Sequence, residues 1–317
     1  MIRKSLIVLA LAATFALPAF AKDGALSLVP ANAVTVGAVK LRELRTSPLA
    51  STLFNHTDKL STDGDAARFL AEAGLDPAKD VDFLVVATSP RTNLGGEADV
   101  LVAAEGRFNV ERLSNALAGR GAVKKANYFI TPDDSKSVNG ERGAVAFPSS
   151  QLALAGTERA VVAALAAREN GGTGFPGTSG FGPNFAKLDP NATAWAVVDV
   201  VRASRLANAP KIGGKNEALA AAVRSLSIVA FWATDTGDSL KLGGAGYSTD
   251  TETLQLLEDT IRGGLSAMRL AVKDKSPELV SVLRRFDVSR NGESVTISGS
   301  IPAGALRDLM AKKQASN

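Results

Sequence analysis

His56, in the stretch Asn55-His-Thr-Asp58, is the only imidazole in a chain of 317 residues that has no cysteine. Any Ser-His-Asp relay would have to run through it, and thiol nucleophiles, disulfides and thiolate metal sites are excluded. Zinc draws on several His or Cys ligands, which one imidazole cannot supply. At the end of an expected helix, His56 instead suits a charge set against the helix dipole. Carboxylates are the remaining candidates: Asp63-Gly-Asp65, Asp76 with Asp80 and Asp82, Asp133-Asp134, and Asp235 with Asp238. Such spacings could offer oxygens to calcium or a pair for glycoside hydrolysis. However, Asp65 and Asp76 fall where helices should start, Asp80 ends a loop, and the others fall where the chain should turn. The alternating acids of a calcium loop are missing. With Trp195, Trp232, Tyr128 and Tyr247 its only Trp and Tyr, the chain is also poor in sugar-stacking surface.

The glycine motifs fail on context. Gly172-Thr-Gly174-Phe-Pro-Gly177 spells G-x-G-x-x-G, but a helix precedes it and Pro176 and further glycines follow. A dinucleotide fingerprint must follow a strand and open a helix. Gly213-Gly214-Lys215 has Ala209 where a phosphate loop needs its first glycine, and no G-x-S-x-G occurs. No catalytic, cofactor-binding or metal-ligating residue is therefore assigned, and no cofactor is expected. Lys124-Lys125, Arg284-Arg285 and Lys312-Lys313 are scattered pairs, not the clustered basic face of a nucleic-acid binder.

The N-terminus carries an address. Arg3 and Lys4 precede an apolar run from Leu6 to Ala16, Pro18 breaks it, and Ala19-Phe20-Ala21 offers a small-residue cleavage site. Residues 1–21 are expected to be a signal peptide cut between Ala21 and Lys22, giving a periplasmic or secreted protein. The formal charge of +4 then falls by two. No later run reaches the roughly 20 apolar residues of a membrane span, so no integral membrane segment is expected after cleavage.

The elements that would position any site are read from periodicity and turn chemistry. Strands are expected over 33–41, 81–88, 98–104, 127–130, 143–147 and 151–155. Helices are expected over 44–54, 66–73 with Gly74 at its C-terminal cap, 109–117 and 157–167, the last with Val161, Val162 and Leu165 on one side. Asn170 to Asn184 then packs six glycines and two prolines into fifteen residues, a density no helix or strand survives. Beyond it the order recurs: strand 193–201, helix 217–223, and a hairpin of 226–233 and 240–247 about Asp235-Thr-Gly-Asp238. A long helix follows, with a capping box of Thr249 and Glu252 and the stripe Leu254, Leu257, Ile261, Leu265, Met268 and Val272. Gly263-Gly264 inside it predicts close helix contact or a kink. Ser276-Pro277 restarts a helix, strands 283–289 and 294–300 pair across Arg290-Asn291-Gly292, and Pro302 opens a last helix.

This order predicts the α+β class: two similar modules, each a largely antiparallel sheet with helices on one face. They would occupy residues 22–169 and 185–317, joined by a Gly/Pro-rich linker at 170–184. Outer-membrane barrels lack such intervening amphipathic helices, and a doubly wound binding protein lacks the two hairpins. The leader, the Pro30-Ala-Asn-Ala33 opening, the Thr46-Ser47-Pro48-Leu49 helix entry and the half-to-half order together resemble exported bacterial proteins of uncharacterised family that carry two tandem α+β modules. The resemblance implies no activity and brings no catalytic residues. The expected function is non-enzymatic binding of another protein or envelope component. The alternatives are a carrier of an apolar small molecule or lipid, and a carboxylate-dependent hydrolase. Phe175, Phe181 and Phe185 in the linker are the candidate contacts for a partner or apolar ligand, against simple docking onto the protein's own surface.

Overall fold

The computed structural model describes residues 24–47, 65–91, 97–132, 141–181, 185, 188–189, 191–206, 221, 223–273 and 276–308. A 3-10 turn at Ala25–Leu28 leads into β1 (Thr35–Val39), α1 (Leu41–Leu44), α2 (Asp65–Ala73) and α3 (Pro77–Asp80). The hairpin β2 (Val81–Pro90) and β3 (Ala98–Gly106), α4 (Val110–Gly119), β4 (Val123–Lys124), β5 (Phe129–Ile130), β6 (Gly143–Ser149), β7 (Leu152–Thr157) and α5 (Glu158–Glu169) complete the first half. The second half runs β8 (Ala194–Asp199), α6 (Val200–Ala203), β9 (Ile228–Asp235), β10 (Ser239–Tyr247), α7 (Thr251–Val272), α8 (Pro277–Leu283), β11 (Asp287–Asn291) and β12 (Ser294–Pro302), with residues 303–308 helical.

Among the described residues all twelve strands form one antiparallel sheet, in the order β11-β12-β10-β9-β8-β1-β2-β3-β7-β6-β5-β4. The α+β class is as the sequence predicts. Each half contributes its first strand to the centre, where β1 pairs with β8 from Thr35 opposite Val198 to Val39 opposite Ala194. Ser47, three residues after α1, adds a hydroxyl hydrogen bond to Asp235 of the other half.

Directly opposed residues of antiparallel strands share a face, so the registers divide the sheet into two surfaces. Val36, Ala38, Val85, Leu101, Leu154, Val197 and Ala230 form one face, buried beneath the 3-10 turn, α5 and the phenylalanine segment. On the opposite face, α2 and α4 cover the first half around Phe108 and Leu113, and α7 and α8 cover the second around Leu254, Leu257 and Val295.

Local chemistry explains most of the boundaries. Gly74 ends α2 at φ +62°, where the Leu75 N–H returns to the Leu70 carbonyl. Gly237 and Gly292 supply the positive φ of the two hairpin turns. The cap of α7 is Asp250, one residue beyond the expected Thr249: its carboxylate accepts from the N–H groups of Glu252 and Thr253 and from the Thr253 hydroxyl. The stripe of α7 is buried at Leu254, Leu257 and Leu265, but Met268 is exposed. In α5 the inward residues are Ala160, Val161, Ala164 and Leu165, whereas Val162 faces solvent. The strand expected from Leu283 starts only at Asp287, because Arg269 of α7 donates to the carbonyls of Leu283 and Phe286 and holds the turn after α8. The helix expected at 44–54 extends beyond the described residues after Ser47, and that at 217–223 lies outside them except for 221 and 223.

The Gly263-Gly264 pair produces neither expected effect. A side chain added at either position meets nothing within 4 Å, and α7 runs unbroken past both. Replacing each with alanine is expected to raise stability by about 0.5–1 kcal/mol per site, by reducing the freedom of the unfolded chain. Thermal melting of the single and double variants checks this.

From Asn170 to Phe181 the chain makes turns without a helix or strand, yet it is anchored. The Thr173 N–H and hydroxyl bond the Ser27 carbonyl, and the hydroxyl also bonds that of Val29. Phe181 is fully buried, and truncating it to alanine should cost about 3–5 kcal/mol in urea unfolding.

Candidate functional site

Two concave surfaces lie near the end of β1, with the apolar walls of one and the floor of the other on opposite faces of the sheet. The first is a trough on the sheet face that carries α2, α4, α7 and α8, in the gap between those two helical layers. Its floor is small, with Gly37, Ala194, Ala196 and Ala233, and its larger residues are Leu84, Val86, Phe231 and Leu242. It holds about 530 Å³ and crosses β2, β1, β8 and β9 to reach β10. At about 4.8 Å between strands, that spans roughly 19 Å. Phe231 is 48% exposed and Val86 38% exposed. Both are uncovered because the trough lies beyond the reach of either helical layer. Gly244, opposite Phe231 in the pairing of β10 with β9, leaves the ring space to lie against the strand.

The second surface is a cleft of about 1030 Å³ at the sheet end, where Lys40 follows the trough residue Val39 and Phe83 precedes Leu84. Its charged lining is Lys40, Arg42, Arg45, Arg107 and Arg168 against Glu43, Asp82 and Glu105, with Phe83 and Leu152 as apolar wall. Arg42 and Arg45 grip Asp82 at 2.5 and 2.7 Å, and Arg45 also donates to the carbonyls of Ala78 and Val81. The Arg42 guanidinium first, then Arg45, holds the Asp82 carboxyl below the usual carboxylate range against the opposing effect of burial. Glu105 accepts the Ala25 N–H at 2.6 Å, and Lys40 pairs with Glu43 at 3.5 Å.

The sequence-derived candidates fall elsewhere. Phe175, Phe181 and Phe185 are buried in the main core, where Phe185 meets Phe175 and Trp195 edge-on at centroid distances of 5.4 and 4.9 Å. They offer no free surface to a partner: aromatic rings so close to an apolar sheet gain more from burial than from exposure. Asp76 caps α3 by accepting the Ala78 N–H, and Asp80 accepts the Asp76 N–H. Asp235 accepts the Gly237 N–H in its turn. His56, Asp63, Asp133 and Asp134 lie outside the described residues. Among the described residues no three His, Cys, Asp or Glu side chains gather as metal ligands, and no helix is long and apolar enough to cross a membrane. The carboxylates with displaced pKa values, Glu72, Asp76, Asp82 and Asp250, are all displaced downward.

No family model and no curated protein matches the chain. Among solved structures, crystal form III of TP0453 superposes with a TM-score of 0.51 at 10% identity, over 90% of this chain and 97% of that one. Crystal form I of TP0453 gives 0.49 at 9% identity, over 91% of this chain and 97% of that one. The likeness is one of fold.

The Asp82 clamp has a pH signature. Its carboxyl titrates lower in the folded than in the unfolded chain, so its contribution is present above the unfolded value near 3.8 and is lost as pH falls through the folded value. Asp82→Asn should therefore melt at a lower temperature than the parent at pH 7, and the difference should close as pH drops below the carboxylate range. Melting curves from pH 7 to pH 2 test both parts.

Proposed function

We propose that the protein is exported to the periplasm or medium, works without catalysis, and binds an apolar helix of another envelope protein in the central trough. The observation that carries this reading is the exposure of Phe231 and Val86 on a floor of small apolar residues. Interfaces draw their energy from a few aromatic anchors desolvated on binding, and Phe231 has the position and chemistry of one. The inner strands β1, β2, β8 and β9 already bond neighbours on both sides, so an added strand has no edge to join there. Side-chain burial under an amphipathic helix is the recognition mode left. A helix about 10 Å across fits between flanking helical layers, and the small floor lets its backbone come close. Export rests on the order of charge, apolar run and small residues in 1–21.

A carrier of an apolar small molecule is the second reading, favoured by the apolar lining and by a volume of about 530 Å³. Small-molecule sites bury most of their ligand, which an open trough does not do.

A photocrosslinking amino acid in place of Val86, introduced in the native host, separates the two. A discrete adduct with one polypeptide, lost when Phe231→Asp is added, is the expected result, and the recovered protein should begin at Lys22. Because Phe231 is half exposed and half packed against β10, that substitution should cost about 1–2 kcal/mol, and a melting curve of the variant shows that the fold survives it. An adduct a few hundred daltons heavier would install the carrier reading, and the absence of any adduct would overturn both.

A further inference from the structure

The cleft at the sheet end carries an inference independent of the trough's occupant. Arg42 and Arg45 are committed to Asp82, and Lys40 to Glu43. Arg107 and Arg168 differ. Neither has a carboxylate within ion-pair distance among the described residues, and each is held by a main-chain carbonyl: Arg107 by Lys79 at 2.8 Å and Arg168 by Pro148 at 3.2 Å. A carbonyl fixes the position of a guanidinium without cancelling its charge, and the remaining N–H groups keep their donor capacity.

The two arginines reach the cleft from separate elements, Arg107 just after β3 and Arg168 near the end of α5. The turn between β6 and β7 lies between their anchors. The carbonyls of Ser150 and Gln151 accept the N–H groups of Phe108 and Gly106, and Arg168 bonds the carbonyl of Pro148, near the end of β6. Five cationic and three acidic side chains line the space, with Phe83 and Leu152 beside them. We infer that this cleft binds a phosphate-bearing anion through Arg107 and Arg168, with any apolar portion of the ligand resting on the half-buried Phe83. Guanidinium forks match tetrahedral oxyanions with paired hydrogen bonds. With Asp82 and Glu43 paired to cations and Glu105 bonded to the Ala25 N–H, the lining keeps an excess of positive charge.

The test is calorimetric titration of the mature protein, at low ionic strength, with inorganic phosphate and with decyl phosphate. Saturable binding of at least one probe is expected, weakened at least tenfold by Arg107→Glu with Arg168→Glu, and weakened by added salt. The milder pair Arg107→Gln and Arg168→Gln should lose part of the affinity at an unchanged melting temperature, which separates charge from folding. Phe231→Asp should leave this binding intact, so that failure of the trough reading is not failure of this one. Equal affinity for the two probes assigns the site to a free anion, and tighter binding of decyl phosphate assigns it to an amphiphile headgroup. Absence of saturable binding, or binding undiminished in both arginine variants, overturns the inference.

Discussion

The antiparallel pairing of β1 with β8 leaves neither half with a free edge at the centre of the molecule. Each of these strands opens its half, and each is hydrogen-bonded on its other side by the next strand of that half, β1 by β2 and β8 by β9. Separated, the halves would expose two apolar edge strands, TVGAV and AWAVVD, of the kind that templates aggregation. Joined, they confine the edges to β4, two residues long, and to β11, a five-residue strand whose residues are exposed except for Val288. The connection between halves is then free to serve the core. Thr173 ties it to the 3-10 turn, and the three phenylalanines fill the space over the central strands.

The trough is the geometric counterpart of that arrangement. Each half brings helices to the same sheet face, and those helices cover their own half's outer strands, with Val295 and Val288 beneath α7 and Ala104 and Ala153 near α2 and α4. Joining the halves through their first strands puts the uncovered strands side by side in the middle. On the opposite face Phe175, Phe181 and Phe185 fill the corresponding gap, and among the described residues no such filling lies over the trough.

Much of this was legible in the sequence and some was not, for physical reasons. Strand and helix order follows from apolar period and from turn residues such as Gly74, Gly237 and Gly292, which act locally. The two hairpins β2–β3 and β9–β10 are legible for the same local reason. The fate of Phe175, Phe181 and Phe185 depends instead on what lies across from them, which glycine-rich flanks do not reveal. Phe231 and Val86 sit in the runs IVAFWATD and VDFLVVATSP, apolar on both sides of the strand. Such runs announce that two faces need cover without saying which face stays bare. The cleft was legible only in part, since Lys40, Arg42, Glu43 and Arg45 form one local charged run, whereas Asp82, Arg107 and Arg168 come from distant parts of the chain and only the fold brings them to the same space.

The electrostatics of the cleft bear on the choice between binding and proton transfer. A glycoside-cleaving acid must hold its proton near neutral pH, which requires burial or a neighbouring negative charge to raise its pKa. Asp82 has the opposite surroundings, with two guanidinium groups that hold it ionised, and its oxygens are spent on those contacts. One Glu105 oxygen is likewise spent on the Ala25 N–H. The carboxylates therefore act as fixed counter-charges that orient Arg42 and Arg45, and the charge left over is positive. A surface of that kind attracts and holds an anion, and it offers a reacting group no acid to protonate it. Asp82 and Glu105 are thus engaged in holding the fold in place, while Arg107 and Arg168, each fixed by a main-chain carbonyl, keep donors turned to the cleft.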